Sequence, residues 1–183
     1  MKIIYEYSHL GGSEIMQVRY PEENAEIYEA IAEASAPKTK VSEEKNTKGK
    51  LFYSPTEINK SFKEAFERRG YKELRDYFDI PICKVSDGSE SVKSFKQVDF
   101  HKEKVLVEVQ FGKYAFMFYD MAKFQYFFNE NKADVGVEIV PCHYMKKKMS
   151  TGVSYGEQLI NDIERLKRHF PAVPIKLILV DVD

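Results

Sequence analysis

The sequence places two acids and an amide, Asp99, Glu108 and Gln110, in a predicted β-hairpin. Successive side chains of a strand point to opposite faces, so Glu108 and Gln110 share one face while the alternating valines bury the other. Asp99 ends the preceding strand, and a hairpin would bring its carboxylate beside that of Glu108. Two close carboxylates repel each other and lose hydration unless a cation lies between them. Hard oxygen ligands with room for water and a phosphate make this a candidate Mg²⁺ site.

The spacing alone is more typical of a solvent-facing strand edge than of a metal site. Other catalytic patterns are missing from the sequence: it contains no glycine-rich phosphate loop, no HExxH and no GxSxG. The four histidines are scattered through predicted loops and helix ends, which favours surface positions: His9, His101, His143 and His169. The hypothesis of a Mg²⁺ site therefore depends on the acids of the hairpin, Asp99 and Glu108.

Composition narrows the class of protein. A chain of 183 residues with 43% hydrophobic residues predicts one globular domain, residues 1–183. A formal net charge of -1 argues against a histone-like or polybasic membrane protein, although a local basic cleft could still contact nucleic acid. The isolated Cys83 and Cys142 indicate free thiols in a reducing compartment. With no membrane segment or signal peptide recognised, we expect a cytoplasmic protein without a membrane partner.

The elements that would position the hairpin alternate between strands and helices. Strands are predicted at residues 3–7, 95–100, 105–111, 133–140 and 175–182. Helices are predicted from Pro21 to Pro37 and at residues 55–69, 114–131 and 155–170, and a loop at residues 79–94. This order predicts an α/β fold with parallel pairing in its second half. The helix at 114–131 is apolar nearly all round, which indicates burial in the core or at a subunit contact.

The hairpin motif also resembles a known family. Asp-x8-Glu-x-Gln is a variant of the PD-(D/E)xK nuclease signature, and the string Val-Glu-Val-Gln-Phe-Gly-Lys-Tyr at residues 107–114 resembles type II restriction endonucleases of the BglII and BstYI type. Further matches occur in the same order at Tyr7-Ser-His-Leu, Tyr53-Ser-Pro, Asp134-Val-Gly-Val-Glu and Met149-Ser-Thr-Gly-Val-Ser-Tyr. Separated matches in one order are hard to obtain by chance.

The resemblance implies a restriction-endonuclease-like PD-(D/E)xK fold, with a central mixed sheet flanked by helices. It implies that Asp99 and Glu108 bind Mg²⁺, with the main-chain carbonyl of Val109 as a further ligand. Gln110 stands where most PD-(D/E)xK nucleases have lysine. The BglII-like branch also has glutamine at this position. A neutral amide cannot act as a general base, so the attacking water must be activated by the metal and Gln110 can only orient it.

A fourth polar group belongs near this site in the family, and Glu73 aligns best with it. A surface salt bridge is an equally good interpretation of Glu73.

For base contacts, the resemblance points to Lys113, directly after the active-site strand, and to the hydroxyl residues Ser150, Thr151 and Ser154. These follow the basic run at residues 146–148, where lysines would contact phosphates or simply face solvent.

The favoured function is a homodimeric type II restriction endonuclease that cleaves double-stranded DNA. The resemblance implies Mg²⁺-dependent cutting of both strands at a short palindrome centred on GATC, leaving 5′-phosphate ends. One alternative is a structure-specific PD-(D/E)xK repair nuclease. Another is a DNA-binding module that has lost catalysis, since Gln110 replaces the usual lysine.

Overall fold

A computed structural model describes residues 1–83 and 90–182. The strands are β1 (Lys2–His9), β2 (Lys40–Val41), β3 (Leu51–Phe52), β4 (Lys72–Pro81), β5 (Ser91–Lys102), β6 (Val105–Val109), β7 (Val135–Pro141) and β8 (Ile175–Asp181). The helices are α1 (Gly12–Arg19), α2 (Pro21–Glu33), α3 (Pro55–Arg68), α4 (Tyr114–Asn129), α5 (His143–Lys146) and α6 (Gly156–Leu166).

A six-stranded mixed sheet forms the centre of the fold, in the order β1-β8-β7-β6-β5-β4. Strands β6, β7 and β8 pair in parallel, while β4, β5 and β6 pair antiparallel and β1 joins β8 antiparallel. The predicted α/β pattern with parallel pairing in its second half is therefore confirmed. Every residue of β6, β7 and β8 is buried, as expected for parallel strands that are covered on both faces.

Two helices cover opposite faces of β6. Helix α3 begins at a sequence-encoded N-cap, since the Ser54 hydroxyl accepts a hydrogen bond from the backbone of Glu57. Its Phe66 packs against Phe100 of β5 with ring centroids 4.6 Å apart. Helix α4 packs on the other face, where Gly136 of β7 leaves room for the ring of Phe124.

Helix α4 is not covered on every side. Met117, Met121, Phe124 and Phe127 are buried, but Phe116 and Tyr119 are 56% and 44% exposed. Burial in the core therefore accounts for one face of α4 and leaves an exposed aromatic face on the single chain.

The predicted loop at residues 79–94 is wrong at both of its ends. Strand β4 continues to Pro81 and β5 starts at Ser91, so much of this segment is a projecting hairpin, and residues 84–89 lie outside the described part. Both strands are largely exposed there, so no buried stripe marks them in the sequence. Cross-strand contacts stabilise the hairpin instead, including a Tyr77–Phe95 ring pair 5.7 Å apart.

Several helix assignments also differ from the sequence predictions, including the helix predicted from Pro21 to Pro37, which ends at Glu33. The last predicted helix ends at Leu166, four residues before Phe170, and α1 and α5 were not expected. Within residues 1–83 and 90–182, none of the helices is long and apolar enough to cross a membrane.

Candidate active site

A tight hairpin brings the two predicted acids to neighbouring strands. Strands β5 and β6 are joined by residues 103 and 104 alone, and Glu103 takes a positive φ of 52° in this turn. Phe100 pairs with Val107 in the antiparallel register. The paired register ends there, and Asp99 and Glu108 are the next residues on the two strands.

A β-bulge re-aims the chain at Asp99. Lys72 pairs with His101 while Leu74 pairs with Val98, so that two residues of β5, Asp99 and Phe100, oppose the single residue Glu73 of β4. Bulges bend a strand and change the direction of a side chain. Asp99 is exposed there and lines an open cleft of 390 Å³.

The partner acid Glu108 is buried, with only 2% of its surface exposed. Burial raises its pKa well above the usual range, and the charges of Asp120 and Asp99 raise it further. The joint binding of a cation by Asp99 and Glu108 stays a prediction of the hairpin hypothesis.

A polar network holds Glu108 in this position. The Lys123 Nζ of helix α4 donates a hydrogen bond to Glu108 Oε1 and forms an ion pair with Asp120 at 2.7 Å. Gln110 Nε2 donates to the other oxygen of Asp120 at 3.2 Å. The pKa of Asp120 is raised by burial, even though Lys123 and Gln110 act in the opposite direction.

Below this network lies a third acid, Glu138 of β7, which pairs with Glu108 in the parallel register. It is completely buried, and neither carboxylate oxygen has a donor among the described residues. Burial raises its pKa well above the usual range, and the charges of Asp120 and Glu108 raise it further. A hydrogen bond to Asp120 forms only when one of the two carboxyl groups carries a proton.

Sequence reasoning missed the roles of Asp120, Lys123 and Glu138 in this cluster. The sequence pattern presents Asp120 and Lys123 only as part of an aromatic helix, and Glu138 only as the last residue of the string Asp134-Val-Gly-Val-Glu. A signal was present: polar residues three apart in an otherwise apolar helix indicate a paired polar site on its buried side.

The cleft beside Asp99 also contains Glu73 and three lysines, Lys60, Lys63 and Lys72. Glu73 therefore lies near Asp99, on β4. Its side chain is half exposed, pairs with Arg75 at 2.5 Å and accepts a hydrogen bond from Gln97 at 2.7 Å. Both interpretations of Glu73 thus match its geometry: it borders the site and it forms a surface salt bridge.

The predicted base-contacting residues are close in space. Ser154 N donates to Gly112 O at 2.9 Å, which ties the hydroxyl-rich loop to the residue before Lys113. Lys113 and Thr151 are exposed and Ser150 is partly buried. The Thr151 hydroxyl donates to Glu44 at 2.9 Å. Ser154 is buried and its hydroxyl donates to Gln158, so this side chain anchors the loop.

The acids suit a hard divalent cation with few protein ligands. Over the ranges that the structure describes, no group of three or more His, Cys, Asp or Glu side chains has the geometry of a metal cage. Mg²⁺ is usually held by one or two carboxylates together with waters and substrate phosphates. Asp99 lines the open cleft, whereas Glu108 and Val109 are buried, so the predicted donor set combines an exposed acid with an enclosed one.

Comparisons with known proteins give a consistent result. The family model described as restriction endonuclease BglII/BglIII matches residues 4–180. The crystal structure of restriction endonuclease BglII complexed with a DNA 16-mer has a TM-score of 0.75 and 25% identity, covering 100% of this chain and 78% of that one. Free BglII has a TM-score of 0.68 and 24% identity, with coverages of 100% and 81%. No curated protein sequence matches. The expected restriction-endonuclease-like fold is confirmed.

Proposed function

Because this chain belongs to the BglII/BglIII restriction endonuclease family and is a type II restriction endonuclease, we propose that it cuts both strands of a short palindrome centred on GATC. Cleavage would require Mg²⁺ and leave 5′-phosphate ends. The observation that carries the proposal is the position of Asp99 and Glu108 on adjacent strands of one hairpin, with Asp99 in a cleft that is also lined by lysines. Double-stranded DNA is the substrate, by analogy with the DNA complex of BglII.

Each residue of the site has a distinct proposed role. Asp99, Glu108 and the Val109 carbonyl hold the cation, which when bound lowers the pKa of water and neutralises charge on the scissile phosphate. Gln110 orients the attacking water through its amide, and its bond to Asp120 fixes that amide. Glu73 is the fourth polar group, at the cleft wall beside Asp99.

The proposed surface for recognising the DNA sequence lies beside the acids. Lys113 and Thr151 are exposed, and Ser150 is next to Thr151, so these three side chains are our candidates for contacts with base edges. Thr151 would have to exchange its Glu44 partner for DNA. Ser154 keeps the loop attached to Gly112 and contributes indirectly.

A homodimer would complete the enzyme. Cutting both strands of a palindrome is achieved by two active sites related by two-fold symmetry. The exposed Phe116 and Tyr119 of helix α4 offer an apolar surface for a second copy. The proposed setting is the cytoplasm, where DNA is the accessible substrate.

Digestion of plasmid DNA of known sequence with the purified chain and Mg²⁺ tests the proposal. We expect discrete fragments, and end sequencing should place every break within a GATC-containing palindrome. The ends should be joined by DNA ligase without prior phosphorylation, because they carry 5′ phosphates.

Different results would support the alternatives. Cleavage that follows branched or flapped structure instead of sequence would support a repair nuclease. Duplex binding without cleavage under Mg²⁺, Mn²⁺ or Co²⁺ would support an inactive DNA-binding module. Discrete fragments whose ends lack GATC would contradict the proposed site only.

The lysines of the cleft should contribute to DNA affinity without base preference. Lys60 and Lys72 line the cleft that contains Asp99, so we expect them to contact the phosphates that flank the scissile bond. Replacing either by alanine should reduce the slope of log affinity against log salt concentration by about 1. Binding is measured by fluorescence anisotropy on a Glu108→Gln background, which prevents cleavage.

Lys167→Ala is the matched control. Lys167 pairs with Glu164, which is bonded to Tyr7 of β1 at the opposite edge of the sheet from β4. Its salt slope should equal that of the parent. If the salt slopes of Lys60→Ala and Lys72→Ala also equal the slope of the parent, these lysines do not contact DNA.

Gly112→Ala should disturb catalysis more than folding. A Cβ at this position would lie 2.5 Å from Gln110 Oε1, the far end of a flexible side chain that can move away. Misplacing an orienting group costs about 10- to 100-fold in rate, while the melting temperature should change little. If the effect acts through Gln110, the double variant Gly112→Ala/Gln110→Ala should cleave as fast as Gln110→Ala alone. A further loss in the double variant would refute this route.

A further inference from the structure

One cation stands at the centre of the acid cluster. Lys123 is only 14% exposed in its side chain, and its ammonium contacts both Glu108 and Asp120, whose side chains are 3% and 2% exposed. Glu138 lies beside this pair and has no donor among the described residues. Two buried carboxyl groups therefore contact the ammonium of Lys123, and the neighbouring Glu138 contacts no cation among the described residues.

The position of this charge compensates for a gap in the hairpin. Gln110 is neutral and is bonded to Asp120, so strand β6 supplies no positive charge beside Glu108. The ammonium of Lys123 approaches Glu108 from helix α4 instead, and Lys123 is 15 residues after Glu108 in the sequence. Burial opposes a charged lysine, yet the carboxylates of Glu108 and Asp120 raise its pKa, so it stays protonated.

We propose that Lys123 is a positioning residue for Glu108: its ammonium, supplied by helix α4, holds Glu108 Oε1 and replaces the cation that β6 lacks at Gln110. The inference rests on the proposed nuclease function for its catalytic part. The bond to Oε1 fixes the orientation of the Glu108 carboxylate, whose other oxygen would then be available to a cation. The same ammonium offsets the buried negative charge when no divalent ion is present.

This role predicts two effects of opposite sign in Lys123→Met, which removes the charge but keeps an unbranched side chain. Without the ammonium the cluster is more negative, so a divalent cation should bind at least ~10-fold more tightly. Without the anchor on Oε1, the single-turnover cleavage rate at saturating Mg²⁺ should fall at least ~10-fold. Lys123→Arg keeps the charge and should restore both values to within about threefold of wild type.

Ca²⁺ binding is measured by calorimetry and by the rise in melting temperature, so the first effect does not depend on activity. Lys176→Met is the matched control, since Lys176 is a buried lysine outside the acid cluster and pairs with Glu6 at 3.0 Å. This variant should lose stability with unchanged Ca²⁺ affinity. If Lys123→Met is unfolded without metal, Ca²⁺ should restore its folded circular dichroism spectrum while leaving unfolded Lys176→Met unaffected.

The inference is overturned if Lys123→Met binds Ca²⁺ as weakly as wild type, or if Ca²⁺ fails to refold it. It is also overturned if the folded variant cleaves at the wild-type rate in saturating Mg²⁺. Failure of the proposed function gives a different result. Wild type would then cut no DNA, while Lys123→Met would still bind Ca²⁺ more tightly than wild type and Lys123→Arg do.

Discussion

Glu108→Gln should lower the rate of DNA cleavage by at least ~1000-fold, equivalent to about 4 kcal/mol of transition-state stabilisation. Glutamine has nearly the same shape, but it lacks the negative charge with which Glu108 and Asp99 would hold the cation. DNA affinity should stay within about threefold of wild type, because the lysines of the cleft are unchanged. Rates come from single-turnover cleavage of a labelled duplex, and affinities from anisotropy.

Glu103→Gln is the matched control for this loss. Glu103 is in the two-residue turn of the same hairpin, away from the cleft, so the substitution should leave the rate unchanged. A Glu108→Gln variant that cuts at the wild-type rate would show that the metal-binding acids are wrongly assigned. Equal loss of binding and cleavage would instead indicate a folding defect.

Glu138→Met should stabilise the protein by about 1–3 kcal/mol at pH 8, because it replaces a buried acid without a donor by an apolar side chain of similar volume. The effect should depend on pH. Burial raises the pKa of Glu138 in the folded chain, so above the ordinary carboxyl pKa of about 4.3 the folded chain binds more protons than the unfolded chain. In that window the free energy of unfolding of wild type falls as pH rises.

Methionine does not titrate, so Glu138→Met lacks this contribution and its advantage over wild type should widen from pH 5 to pH 8. Urea unfolding at the two pH values measures the difference. Glu64→Met, at an exposed position of helix α3, should give no such widening. An advantage that is absent at pH 8, or larger at pH 5, would contradict the assignment of Glu138 as a destabilising buried acid.

The hairpin could be predicted because a short polar turn separates two runs rich in β-branched and aromatic residues. Val105, Val107 and Val109 line the α3 face, and the parity of the strand then fixes Glu108 on the other. The short turn then brings the strand of Asp99 beside that of Glu108. Local rules of strand geometry are sufficient to place the two acids on adjacent strands, but they do not predict the β-bulge at Asp99.

The other half depends on packing between elements. Lys123 reaches Glu108 only because α4 crosses over β6 and β7, a position set partly by the ring of Phe124 against Gly136. No local rule of periodicity predicts such a contact. The extension of β4 and β5 was missed for a related reason: strands that are exposed on both faces carry no buried stripe, so residues 79–94 resembled a loop.

The unequal burial of the two acids has an evolutionary consequence. Asp99 is on the surface, where most substitutions change stability by less than about 0.5 kcal/mol, whereas Glu108 is enclosed in a charge-balanced cluster. Under the proposed roles, genetic drift at codon 99 silences the nuclease while leaving a folded protein that still binds DNA. A single point mutation at codon 99 therefore yields a harmless descendant. We expect nuclease activity to be lost by substitution of the exposed acid Asp99 before substitution of the enclosed acid Glu108.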